Sequence, residues 1–245
     1  MNPNTALRRS QVYRFLADAF LYPDQENWTE KIPLVGGILH ALSLSAPASA
    51  SPSCTLNAAS CPLPLTPCAL HLAPCDLPSL QVEHRRAFGL TGSLCYETEI
   101  GLPNEFRQSQ ELADIAGFYR AFGFSMGGPV RERPDHLAAE LEFMHILALK
   151  QALAAQRGQT EQAEICARAG RQFLQDHLGR WTGPLAESLV RSAGSGPYCA
   201  LARLTAAFVA ADAERLGAQP APATLARSRP TPLDPDPSCA GCPVA

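Results

Sequence analysis

The sequence predicts an all-α protein, a single globular bundle of roughly seven to nine helices. Three observations predict it. Apolar residues recur at three- and four-residue spacing in one segment after another. Proline and glycine stand where helices begin and end. No segment alternates apolar and polar residues over a strand's length with β-branched enrichment. With 245 residues, 46% of them hydrophobic, the chain can bury a substantial core. A net charge of -3 gives no nucleic-acid footprint. No run of about 18 apolar residues suggests a membrane span.

Leu7, Val12, Phe15, Leu16, Ala19 and Phe20 give a helical period, so residues 5–21 are expected to form an amphipathic first helix that stops near Pro23. Arg8-Arg9 faintly resembles a twin-arginine export signal. Arg14, Asp18 and Asp24 interrupt the apolar region that such a signal needs, which points to a cytoplasmic protein.

The stretch from Ser45 to Ser79 is different in kind. It holds seven of the 22 prolines, and Asp76 is its only charged residue. Cys54, Cys61, Cys68 and Cys75 recur there every seven residues. Pro62, Pro64, Pro67 and Pro74 forbid the continuous helix that a heptad would otherwise suggest. The expectation is an irregular insertion, since the spacing is not that of a structural zinc site. Nine cysteines, an odd number, argue against a disulfide framework in a cytoplasmic chain.

Two helices follow, QELADIAGFYRAFGF and ERPDHLAAELEFMHILALK. The second is apolar nearly all round, yet carries Asp135, His136, Glu140, Glu142 and His145. Pro134 is placed in its first turn and Asp135 beside the positive end of its dipole. Gly158 should end it, and Thr160 should cap the next, which runs to Gly179. Gly183-Pro184 and Gly196-Pro197 are expected to start two more, the last ending at Gly217. The helical domain thus spans residues 1–217. Residues 218–245 form a Pro-rich tail, expected to be flexible and disordered, that contains Cys239-Ala-Gly-Cys242.

Several functions fit the carboxylate-rich helices. Glu142 and His145 make an E-x-x-H pair, but a bundle di-iron site needs two such pairs and this chain has one. His136 and Glu140, four residues apart, suit either an acid–base pair or a helix-internal hydrogen bond. No phosphate loop, nucleophile elbow or dinucleotide fingerprint accompanies them. A carboxylate-bound metal enzyme, or a thiol-based metal or redox sensor using Cys239 and Cys242, therefore stays a rival reading. A binding role explains more. Between Tyr96 and Met144 stand nine acidic residues against four basic ones, interleaved with Phe106, Phe118, Tyr119, Phe122, Phe124 and Phe143. Such a mixture suits a basic, apolar peptide, although a solvated charged face is the commoner fate of such residues.

The strings FGL at Phe88–Leu90, YETEIG at Tyr96–Gly101, QELADIAGFYRAFGF and ERPDHLAAELEFM resemble the TorD/DmsD/NarJ family of molybdoenzyme maturation chaperones. The nearest likeness is to chaperones of the type II dimethyl sulfoxide reductase group. HLGRW at His177–Trp181 is similar as well. The resemblance covers about residues 5–217, the Cys/Pro insertion and the C-x-x-C tail excepted. It implies an all-helical chaperone without catalysis and without a stably bound cofactor. Its client would be the apo catalytic subunit of a molybdopterin oxidoreductase, bound by its body and its twin-arginine leader. The chaperone would assist insertion of bis(molybdopterin guanine dinucleotide) molybdenum and delay export. Carried over by motif, the expected client-binding residues are Tyr96, Glu97, Glu99, Tyr119, Asp135, His136 and Glu140. Either a monomer or a dimer is compatible with these features.

Overall fold

A computed structural model describes residues 2–24, 77–89, 95–100, 105–125, 133–194 and 196–223. Most of them lie in seven helices: α1 (Pro3–Phe20), α2 (Leu77–Phe88), α3 (Glu105–Ala121), α4 (Leu137–Gln156), α5 (Thr160–Asp176), α6 (Leu178–Ala193) and α7 (Pro197–Leu216). A 3-10 turn at Glu97–Glu99 precedes α3. Among the described residues no strand forms, and an isolated antiparallel bridge joins Tyr96 to His136. The described chain is all-α, as its periodicity predicts.

Helix α4 is the axis. Leu137, Leu141, Phe143, Met144, Leu147, Ala148 and Ala152 are buried on more than one face of it, as expected of a helix apolar nearly all round. It packs mainly on α1 and α5 and touches α6. Helices α6 and α7 form a second pair, joined to the first through α5, with α2 lying against both.

The caps follow from residue chemistry. Asn2 accepts a hydrogen bond from the Asn4 amide at 2.9 Å, and Pro3 occupies the first turn of α1. Gly217 ends α7 in the left-handed conformation, with φ of 73°. Arg9, half of the signal-like pair, turns out to be a core residue. Its guanidinium grips both oxygens of Asp212 at 2.6 and 2.9 Å and donates to Gln151 at 2.9 Å. The Tyr13 hydroxyl donates to the same carboxylate at 2.8 Å. This buried network ties α1 to α4 and α7, because a charge removed from water must be paired.

Three punctuation marks fall elsewhere than the sequence suggests. Pro134 lies ahead of α4, because His136 already serves as its N-cap. Thr160 is the first residue of α5, and Gln159 holds the cap position. Pro184 does not start a helix but lies inside α6, which begins at Leu178. A proline there leaves the carbonyl four residues earlier, that of Arg180, without its helical donor. The Ala223 amide supplies the missing hydrogen bond at 2.8 Å. The chain after α7 therefore folds back on α6, and it can do so only because residue 179 is glycine. A Cβ there would meet the Leu174 carbonyl at 2.3 Å and the Pro220 ring at 3.0 Å.

The Cys/Pro insertion also ends earlier than expected, since Leu77–Ser79 already belong to α2. Cys54, Cys61, Cys68 and Cys75, like Cys239 and Cys242, lie outside the described residues. Cys95, Cys166 and Cys199 are buried.

Candidate functional site

The two motif segments meet edge to edge. The Glu97 amide donates to the Asp135 carbonyl at 3.0 Å, and the Leu137 amide to the Cys95 carbonyl at 2.8 Å. The rings of Tyr96 and His136 pack edge to face, 5.2 Å apart. Tyr96, Glu97, Glu99, Asp135, His136 and Glu140 are thus drawn into one neighbourhood, on which Tyr119 also closes.

Asp135 is the knot. It is wholly buried and two residues short of the helix, so it is not the first-turn carboxylate expected of it. Glu140 takes that place. The Asp135 carboxylate instead receives Arg133 on both oxygens at 3.1 and 2.8 Å, and the Thr98 hydroxyl at 2.7 Å. Arg133 reaches on to Glu99 at 3.0 Å and lies 4.5 Å over the Tyr96 ring. His136 turns its Nδ1 to the Ala138 amide at 3.2 Å, which commits that nitrogen as an acceptor. The Tyr119 hydroxyl donates to the Pro134 carbonyl at 2.7 Å. Burial first, then the Glu140 charge, pushes its phenol well above the usual range.

Below this knot lies a second array. Trp181 donates its indole N–H to Glu140 Oε2 at 3.0 Å, and the Glu140 carboxyl also lies within hydrogen-bond reach of Glu97. Burial and the nearby Glu97 charge hold the Glu140 carboxyl well above the ordinary carboxylate range. Two carboxyls so close in a dry site cannot both ionise cheaply, so Glu140 keeps its proton. Glu97 in turn bonds His177 Nδ1 at 3.1 Å, and His177 Nε2 bonds Asp114 at 3.2 Å. Burial pulls the imidazole down, but the Glu97 and Asp114 carboxylates outweigh it and hold it above its ordinary value.

A pH signature follows. The unfolded chain releases the Glu140 proton near 4.5, whereas the folded chain keeps it. Stability is therefore lost as pH rises from that value through the folded one. His177, also raised, contributes stability fully below 6.5 and loses it above, in the same direction. Glu140→Gln keeps an acceptor for Trp181 and removes the titrating group. Urea melts from pH 5 to 8 should show the variant gaining on the parent as pH rises. An identical slope for the two proteins would contradict the assignment.

The aromatics gather around Phe143. Phe143 is wholly buried and packs against Phe118, Tyr119, Phe122, Phe124 and Phe173, at centroid distances of 4.8 to 6.4 Å. Tyr119, Phe143 and Phe173 are buried in the core and the half-buried Phe118, Phe122 and Phe124 pack against it, because helices α3, α4 and α5 must bury a common apolar seam. The E-x-x-H pair is spent on α1: Glu142 binds Arg14 at 3.1 Å and His145 meets Ser10 at 2.8 Å. Among the described residues, no three His, Cys, Asp or Glu side chains are grouped to hold a metal ion.

What remains open to solvent is an acidic rim. Glu99 is exposed, Asp114 has 62% of its side chain exposed, and Tyr96 is half-buried beside them. Asp114 was only one charge among nine in the sequence. His177 and Trp181 were legible as a motif string but had no assigned role. Their meeting with Glu97 and Glu140 depends on how α3, α4 and α6 pack.

Residues 72–187 match the family described as nitrate reductase delta subunit. The chain is 36% identical over 105 residues to a perchlorate reductase assembly chaperone protein of Dechloromonas aromatica, covering 43% of this chain and 46% of that one. It is 34% identical over 108 residues to a selenate reductase assembly chaperone protein of Thauera selenatis, covering 44% and 54%. To the chaperone protein TorD of Vibrio cholerae it is 31% identical over 115 residues, covering 47% and 49%. The chain spans about half the length of the curated relatives it matches.

Proposed function

We propose that this chain is a member of the TorD/DmsD/NarJ family of molybdoenzyme maturation chaperones, a system-specific assembly chaperone rather than an enzyme; the match over residues 72–187 and the named relatives support this reading. Its client is the apo catalytic subunit of a molybdopterin oxidoreductase. It binds that subunit's body and its twin-arginine leader in the cytoplasm, assists insertion of bis(molybdopterin guanine dinucleotide) molybdenum, and delays export until the cofactor is in place. The chaperone itself holds no cofactor stably.

The observation that carries this reading is the acidic rim of Glu99 and Asp114, the first held by half-buried Arg133 and the second by buried His177. Arginine guanidinium groups pair with carboxylates bidentately, and a rim already held in place loses little entropy on binding them. Within the motif set the roles divide. Tyr96 and Glu99 face the client, while Glu97, Tyr119, Asp135, His136 and Glu140 hold the rim in position.

Calorimetry of the full chain against a synthetic twin-arginine leader tests the reading. Binding should be measurable at low salt and weaken as salt rises, because exposed charges are screened. Co-purification with a large molybdenum subunit should accompany it. A chain that binds neither leader nor apo-subunit would refute the proposal.

A further inference from the structure

His177 connects two carboxylates of opposite character. Glu97 is buried, with 7% of its side chain exposed, whereas Asp114 is open to solvent. The imidazole between them is itself buried, sandwiched by Phe118 and Phe173 at centroid distances of 5.7 and 5.1 Å. An ionised carboxylate only accepts hydrogen bonds, so an imidazole facing one at each nitrogen satisfies both only as the doubly protonated cation. The backbone fixes the ring there. His177 ends α5 with its amide on the Phe173 carbonyl at 3.0 Å and starts α6 by accepting the Arg180 amide at 2.8 Å.

The groups around the ring can be named from each element. Glu97 faces it from the 3-10 turn and Asp114 from α3. Glu140, from α4, acts on it through Glu97. On its own segment, Arg180 donates to the Asp176 carbonyl at 3.1 Å. Asp114 is thus the place where outside charge can reach this array.

We propose that Asp114 receives a guanidinium of the client's basic segment, and that His177, the positioning residue behind it, gives up one proton as this happens. The inference rests on the reading that the acidic rim binds such a segment. The chemistry balances simply. The arriving cation takes the Asp114 oxygens, the imidazolium loses that partner and gains a like charge, and its Nε2 proton passes to water. The Nδ1 proton stays on the imidazole and keeps its hydrogen bond to Glu97. Client binding is then proton-linked, and affinity rises with pH until His177 is neutral in the free chain. A full proton released corresponds to about tenfold in affinity per pH unit.

The test uses the full chain and an N-acetylated twin-arginine peptide, which has no amine titrating in this range. Binding heats are measured at pH 6.5 in two buffers of different ionisation enthalpy. A buffer-dependent heat corresponding to roughly half to one proton released per peptide is the expected result. Asp114→Asn should lose affinity and release together, and His177→Gln should abolish release whatever its affinity. Peptide binding with no buffer dependence overturns the proton linkage and leaves the chaperone reading standing. Release that persists undiminished in His177→Gln overturns the role of His177, because the proton then comes from another group. Absence of binding to both peptide and apo-subunit overturns the chaperone reading itself.

Discussion

Asp212→Ala is expected to destabilise the fold by about 3–5 kcal/mol, the cost of leaving one partner of a buried ion pair behind. Arg9 is 7% exposed and Asp212 2%, so water cannot take the carboxylate's place. Three donors lose their acceptor at once: Arg9 Nε, Arg9 Nη2 and the Tyr13 hydroxyl. A loss of that size consumes a large share of the stability of an ordinary domain. Urea denaturation followed by circular dichroism measures it. The paired replacement Arg9→Met with Asp212→Leu removes both charges and should recover most of the loss, because the cost lies in the orphaned charge rather than in the missing attraction. An Asp212→Ala protein within about 1 kcal/mol of the parent would show that the network is not the tie between α1 and α7 that its geometry implies.

Asp135→Ala is expected to have the largest effect on client maturation of any single change at the site. Asp135 holds Arg133 and Thr98, and Arg133 in turn holds Glu99 and stacks on Tyr96. Without the carboxylate the 95–100 segment loses its anchor while the helices beneath it keep their packing. The stability cost should be modest, about 1–3 kcal/mol, since Arg133 can turn to water. The functional cost should be larger. A rim misplaced enough to lose about 1.4 kcal/mol of binding loses a factor of ten in affinity. Co-expression with a molybdenum subunit, read as client activity, measures the second effect, and amide hydrogen exchange over residues 95–100 reports the first. Normal client activity combined with rapid exchange would show that the platform need not be rigid.

The core was open to reading in advance because it rests on local periodicity. Helix α4 carries apolar residues on every side, and the chain buries it on more than one face. The first helix, the last helix and their glycine and proline limits follow from the same local chemistry. Pro184 was misread because a proline usually opens a helix. Its place inside α6 is tolerable only where a distant amide, that of Ala223, takes the carbonyl it leaves bare. How far the aromatics near the acidic residues are covered is hidden from the sequence for a related reason. Spacing along a helix says that side chains share a face, but not whether another helix covers that face.

By itself the sequence determined the all-α class, the central helix and the motif segments that carry the family likeness. These depend on residues within a few positions of one another. The tertiary structure alone decided which charges are buried and which are offered to a partner. Glu97 and Glu99 are two residues apart, yet one is sealed against His177 and the other lies exposed beside Arg133. Asp114 joins the site although it lies 63 residues from His177. Burial and pairing set the energy of a charge, and both arise between elements rather than within them.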